Sequence, residues 1–82
     1  MKIEILGTGC AKCNMLEAAA RSAAEKLGLN YEIEHIKDIN EFMKRGVMFT
    51  PALAIDGKVV AAGKVLPEAE IAQLLTNVMA QR

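Results

Sequence analysis

Eighty-two residues are enough for one domain with a single core and too few for two, so any active site must lie at that domain's surface. Ten Lys and Arg balance ten Asp and Glu, which leaves no global basic field to hold nucleic acid or an anionic membrane. Although 52% of the residues are hydrophobic, no apolar run approaches the ~20 residues of a membrane span, and a single domain over residues 1–82 that folds in water is expected.

Residues 2–6 place Ile3, Ile5 and Leu6 ahead of Gly7, the pattern of a short strand closed by a turn. Lys2 and Glu4 interrupt this stretch, which is too short for the apolar core of a secretory signal, so a cytoplasmic location is expected. Thiols there are kept reduced, and two cysteines are more often catalytic or sensing than a structural staple. From Ala11 onward, Met15, Leu16, Ala19, Ala20, Ala23 and Leu27 recur at three- and four-residue intervals before Gly28, predicting a long amphipathic helix with a glycine stop. Alternation of Tyr31 and Ile33 with Glu32 and Glu34 predicts a second strand over 31–37, parallel to the first. Its only histidine, His35, reads as a strand residue rather than a catalyst or ligand.

Asp38 with Glu41 resembles a capping pair, and Phe42 and Met43 precede Gly46, which predicts a short helix over 38–45. The apolar runs 52–55 and 58–62 flank Asp56-Gly57, a strong hairpin signal. Pro67, then Glu68 and Glu70, open a last helix whose stripe is Ile71, Leu74, Leu75, Val78 and Met79. The predicted order is β-α-β-α-β-β-α. The long helical crossover between the first two strands is what parallel pairing requires.

Cys10-Ala11-Lys12-Cys13 falls directly after the first βα turn, and a cytosolic C-x-x-C beside a βαβ pattern is a redox signature. Three residues are about one helical turn, so both sulfurs come to one side of the helix. Cys10, at the helix start, meets unsatisfied backbone N–H groups and the positive end of the dipole, which favour thiolate. It is the expected nucleophile, and Cys13, one turn inward, the resolving thiol. Lys12 adds a cation that can favour the Cys10 thiolate further, or is simply solvated on the first turn.

Gly7-Thr8-Gly9-Cys10-Ala11-Lys12-Cys13 after a strand, Thr50-Pro51 before a hairpin and Gly63 after it together resemble the small thioredoxin-like, or glutaredoxin-like, redox-active disulfide proteins. The resemblance spans nearly the whole chain. It implies a thioredoxin-like α/β fold with a four-stranded mixed sheet and helices on both faces. It also implies disulfide oxidoreductase activity on protein disulfides, with no cofactor beyond a reversible Cys10–Cys13 disulfide, electrons from a donor of the thioredoxin-reductase type, and a monomeric protein. Pro51 matches the family's cis proline beside the dithiol, where the backbone of Thr50 pairs with an extended substrate segment. Read from the residues alone, Pro51 opens an edge strand.

Gly63 reads either as close backbone approach to the dithiol or as a flexible exit from the hairpin. Glu4 stands where similar thioredoxins have a buried acid able to relay a proton to Cys13. By itself, such an acid more often reaches the sheet margin or pairs with a lysine such as Lys2 or Lys58. Phe49 is a candidate apolar lip for substrate. The chain departs from the better-known thioredoxins in having no Trp and in carrying Ala11-Lys12 between its cysteines. Ala62-Gly63-Lys64-Val65 lacks the acidic residues with which glutaredoxins hold glutathione.

Two other classes use a C-x-x-C. Soft-metal carrier domains also place one between a first strand and a first helix, and two thiolates suit Cu(I). Those domains end in a strand, whereas this chain ends in a helix. A closed zinc site usually needs four ligands, and only two Cys and a distant His are present. A non-catalytic thiol switch would use the same dithiol, and turnover separates it from an enzyme.

Overall fold

The computed structural model of the protein describes residues 1–9 and 11–80. Its elements are β1 (Lys2–Leu6), α1 (Ala11–Lys26), β2 (Glu32–Ile36), α2 (Ile39–Lys44), β3 (Ala52–Ile55), β4 (Lys58–Ala62) and α3 (Glu68–Ala80). They form a four-stranded sheet in the order β2-β1-β3-β4. β1 runs parallel to β2, with Ile3 opposite Ile33, and antiparallel to β3, with Ile3 opposite Ile55. This is the thioredoxin-like arrangement, a mixed sheet with helices on both faces.

The two central strands are buried on both sides, and their alternation divides the core. Ile3 and Ile5 of β1 join Leu53 and Ile55 of β3 against Leu16 and Ala20 of α1 and Ile71 and Leu75 of α3. Leu6, Ala52 and Ala54 turn to the opposite face and pack with Phe42 of α2 and Val47. Successive strand side chains point to opposite faces, so one strand serves both clusters.

Local chemistry explains the element ends. α1 stops at Gly28, whose φ of 67° suits a left-handed cap; the Gly28 and Leu29 N–H groups donate to Glu25 O and Ala24 O at 3.0 and 3.1 Å. Its buried face is Cys13, Leu16, Ala20, Ala23 and Ala24. Met15 is 60% exposed, because one residue's offset from Leu16 rotates it about 100° off that face. The predicted helix over 38–45 is shorter than expected: Asp38 lies outside as N-cap and accepts from the Asn40 N–H at 2.9 Å, while Arg45 is the C-cap. Glu41 does not reach back as a capping box requires; its carboxylate faces Lys44 and Arg45.

β2 ends one residue inside the predicted range on each side. At its borders Glu32 N–H donates to Met1 O and Gly7 N–H to Ile36 O, so the second bond carries the pairing one residue beyond β1. The hairpin turns on Asp56 and Gly57, with φ of 50° and 86°, the positive pair that a two-residue turn of this type needs. Among the described residues no helix is long and apolar enough to cross a membrane.

Candidate redox site

Cys13 sits in the first turn of α1 and is fully buried. Space for its sulfur comes from a glycine: a methyl group added at Gly7 would overlap Cys13 Sγ and lie 3.9 Å from Pro51 Cα. Gly7 has no positive φ, so what this position requires is the absence of a side chain. The end of β1, the first turn of α1 and the segment before β3 therefore meet around the Cys13 sulfur. Cys10, the expected nucleophile, lies outside the described residues.

Pro51 is buried at this junction, and the Thr50–Pro51 peptide is cis. Gly63 holds it from the far side: its N–H donates to Pro51 O at 2.9 Å, its φ is 80°, and a Cβ there would come within 3.0 Å of Phe49 Cβ. Gly63 is thus a tie between the exit of β4 and the Pro51 segment. Thr50 and Lys12 are exposed. A cleft of about 420 Å³ opens between Thr8 and Thr50 on one side and α2 with its following loop on the other. Ile39, Met43, Met48 and Phe49 in that region are all exposed, an unusual concentration of large apolar side chains in water.

Among the described residues Glu4 is the one buried charged residue of the core. It shares the α2 face with Leu6, and its Oε1 accepts from Arg45 Nη1 at 2.6 Å. The Arg45 hydrogen bond, reinforced by the charges of Arg45 and Lys2, outweighs burial and holds the Glu4 carboxyl below its ordinary value. Its partner is neither lysine considered from sequence; Lys2 instead pairs with Glu34 at 3.2 Å. His35 lies in β2, with Nδ1 3.1 Å from Glu17 Oε1 and Nε2 buried without a hydrogen-bond partner among the described residues. Sequence reasoning missed Gly7 and Arg45 as members of the site's frame. Gly7 read as a turn and as the first residue of the family motif, with no role toward Cys13, and no local pattern links Arg45 to Glu4 across 41 residues.

On this thioredoxin-like fold, a cysteine buried in the first turn of the helix that follows a central strand lies beside Pro51. Comparison with known proteins agrees. The model of a thioredoxin domain family matches residues 1–76. A protein named thioredoxin from Methanothermobacter thermautotrophicus is 43% identical over 76 residues, covering 93% of this chain and 99% of the relative. Another protein of that name, from Methanocaldococcus jannaschii, is 39% identical over 75 residues, covering 92% of this chain and 86% of the relative. The chain belongs to the thioredoxin domain family and, in general terms, to the thiol–disulfide oxidoreductases.

Proposed function

We propose that the protein reduces or exchanges disulfides of other proteins through Cys10 and Cys13. The observation that carries this reading is the lodging of the Cys13 sulfur against side-chainless Gly7, beside Pro51. A buried second thiol one helical turn after a first cysteine suits resolution better than it suits first attack.

In the proposed cycle the Cys10 thiolate attacks one sulfur of a substrate disulfide, forming a mixed disulfide. The departing substrate sulfur takes up a proton. Cys13 then loses its proton and attacks the Cys10 sulfur, releasing the second substrate thiol and leaving a Cys10–Cys13 disulfide. The substrate gains two electrons and the dithiol loses them, so turnover needs a donor, for which a flavin-dependent reductase is the candidate class. No further cofactor enters this scheme. The backbone at Thr50 serves as the edge on which an extended substrate segment pairs, with Pro51 and Gly63 holding that edge in place. Glu4 enters as a clamp and not as a proton relay, because its carboxylate is engaged by Arg45 on the α2 face. A monomer acting in the cytoplasm is consistent with this chemistry.

The test is insulin reduction driven by dithiothreitol, followed by trials with thioredoxin reductase and with glutathione as donors. Catalysis above the dithiothreitol background is expected, lost in Cys10→Ser. Alkylation at neutral pH should label Cys10 well before Cys13. Stoichiometric bound metal with no reductase activity would instead identify a soft-metal carrier.

A further inference from the structure

The fold brings a second lysine to the dithiol segment, from the far end of β2. The Gly7 N–H bond to Ile36 O, at 2.9 Å, carries the parallel pairing one residue past β1. Past that bond Lys37 lays its side chain over the loop: a Cβ placed on Gly9 would lie 3.6 Å from Lys37 Cε and 3.7 Å from Nζ. Gly9 directly precedes Cys10 in the sequence. The ammonium group is thus held over the residue that precedes the proposed nucleophile in sequence.

The acids around Lys37 are otherwise engaged. Asp38 accepts from the Asn40 N–H, Glu34 pairs with Lys2, Glu41 faces Lys44 and Arg45, and Glu4 is held by Arg45. From α1, Glu17 is committed to His35 and Arg21. Among the described residues Lys37 has no ion-pair partner, and Lys12 on α1 is the other cation close in sequence to Cys10. A cation next to a cysteine at a helix start favours the thiolate, and Lys37 is brought to Gly9 by sheet register instead of by neighbouring sequence.

We propose that Lys37 is a positioning residue for the proposed dithiol chemistry, its ammonium stabilising the thiolate form of Cys10. This rests on Cys10 being the nucleophile, as proposed above. At separations of several ångströms beside solvent the Coulomb interaction corresponds to roughly half a pH unit, enough to change the reactive fraction severalfold below neutrality.

The test compares wild type with Lys37→Gln, Lys37→Arg and Lys12→Gln. The rate of Cys10 carboxymethylation, followed by peptide mapping in the full chain, is measured from pH 5 to 9 at low and high salt. Lys37→Gln is expected to raise the midpoint by roughly half a unit and slow labelling at pH 6 about threefold, with the difference shrinking at high salt and Lys37→Arg restoring the wild-type profile. An unchanged midpoint in Lys37→Gln overturns the proposal, as does a shift that Lys12→Gln reproduces while Lys37→Gln does not. A change confined to KM for an acidic substrate, with the midpoint unmoved, also overturns it and makes Lys37 a docking residue. Insulin reduction by wild type in parallel keeps the two readings apart: inactivity there removes the oxidoreductase proposal, whereas activity with an unmoved midpoint removes only the role of Lys37.

Discussion

Gly7 and Glu4 show how much of this site depends on single residues in and just after β1. Gly7 leaves room for the Cys13 sulfur, and a methyl group there meets an atom held by a helix start and a buried proline segment. Gly7→Ala should lower stability by about 1–3 kcal/mol, the usual cost of overpacking a filled interior, and should expose Cys13 to faster alkylation. Urea unfolding and mapped labelling measure the two effects; a stable variant with unchanged Cys13 reactivity would contradict the packing argument. Glu4 acts through charge. Its carboxyl is held below the ordinary value near 4.5 by the Arg45 hydrogen bond, so its contribution is complete above that value and fades as pH falls through and below it. Glu4→Gln should cost about 2 kcal/mol at pH 7, the range of a hydrogen bond to a charged group. The gap from wild type should narrow below about pH 4.5. A gap that stays constant to pH 3 would show that the ion pair contributes little.

Among the elements, α2 is the shortest helix. It spans only Ile39–Lys44, far below the length at which a helix is stable alone, and it holds one wall of the apolar cleft. Three attachments keep it in place: the Asp38 cap, Phe42 buried against the sheet, and the Arg45–Glu4 pair at its C-terminal end. Asp38→Ala should cost about 1 kcal/mol and speed hydrogen exchange of the α2 amides more than those of α1. Equal acceleration in both helices would mean that α2 does not open separately. By contrast α1 has a long buried face and a glycine cap, and it carries Cys13 in its first turn.

For the whole molecule, a sheet covered on both faces couples everything to β1 and β3. A chain of this length is expected to hold a total stability of roughly 4–12 kcal/mol. Leu16→Ala, removing a fully buried side chain that bridges α1 to the sheet, should cost about 2–5 kcal/mol and lower Tm by on the order of 10 °C or more. Because β3 contributes to both core clusters, unfolding should remain a single transition, with far-UV ellipticity and Tyr31 fluorescence changing together. Two separated transitions would show that the clusters on the two faces are independent.

Much of this organisation was legible in the amino-acid sequence, since periodicity, caps and turns are written in neighbouring residues. The order of the seven elements, the bounds of the Asp56-Gly57 hairpin, the glycine stop at Gly28 and the C-x-x-C after the first strand all follow from short-range rules. Helix ends were less legible: Asp38 and Arg45 look helical by pattern but serve as caps, because capping depends on which backbone groups remain unpaired. Contacts between distant segments could not be read at all. That Gly7 makes room for Cys13, that Arg45 and not a lysine receives Glu4, and that Lys37 lies over Gly9 are set by strand register and by which sheet face each residue takes. Those are properties of the assembled sheet. A sequence states which residues can bear charge or fill space, while only packing decides which of them meet.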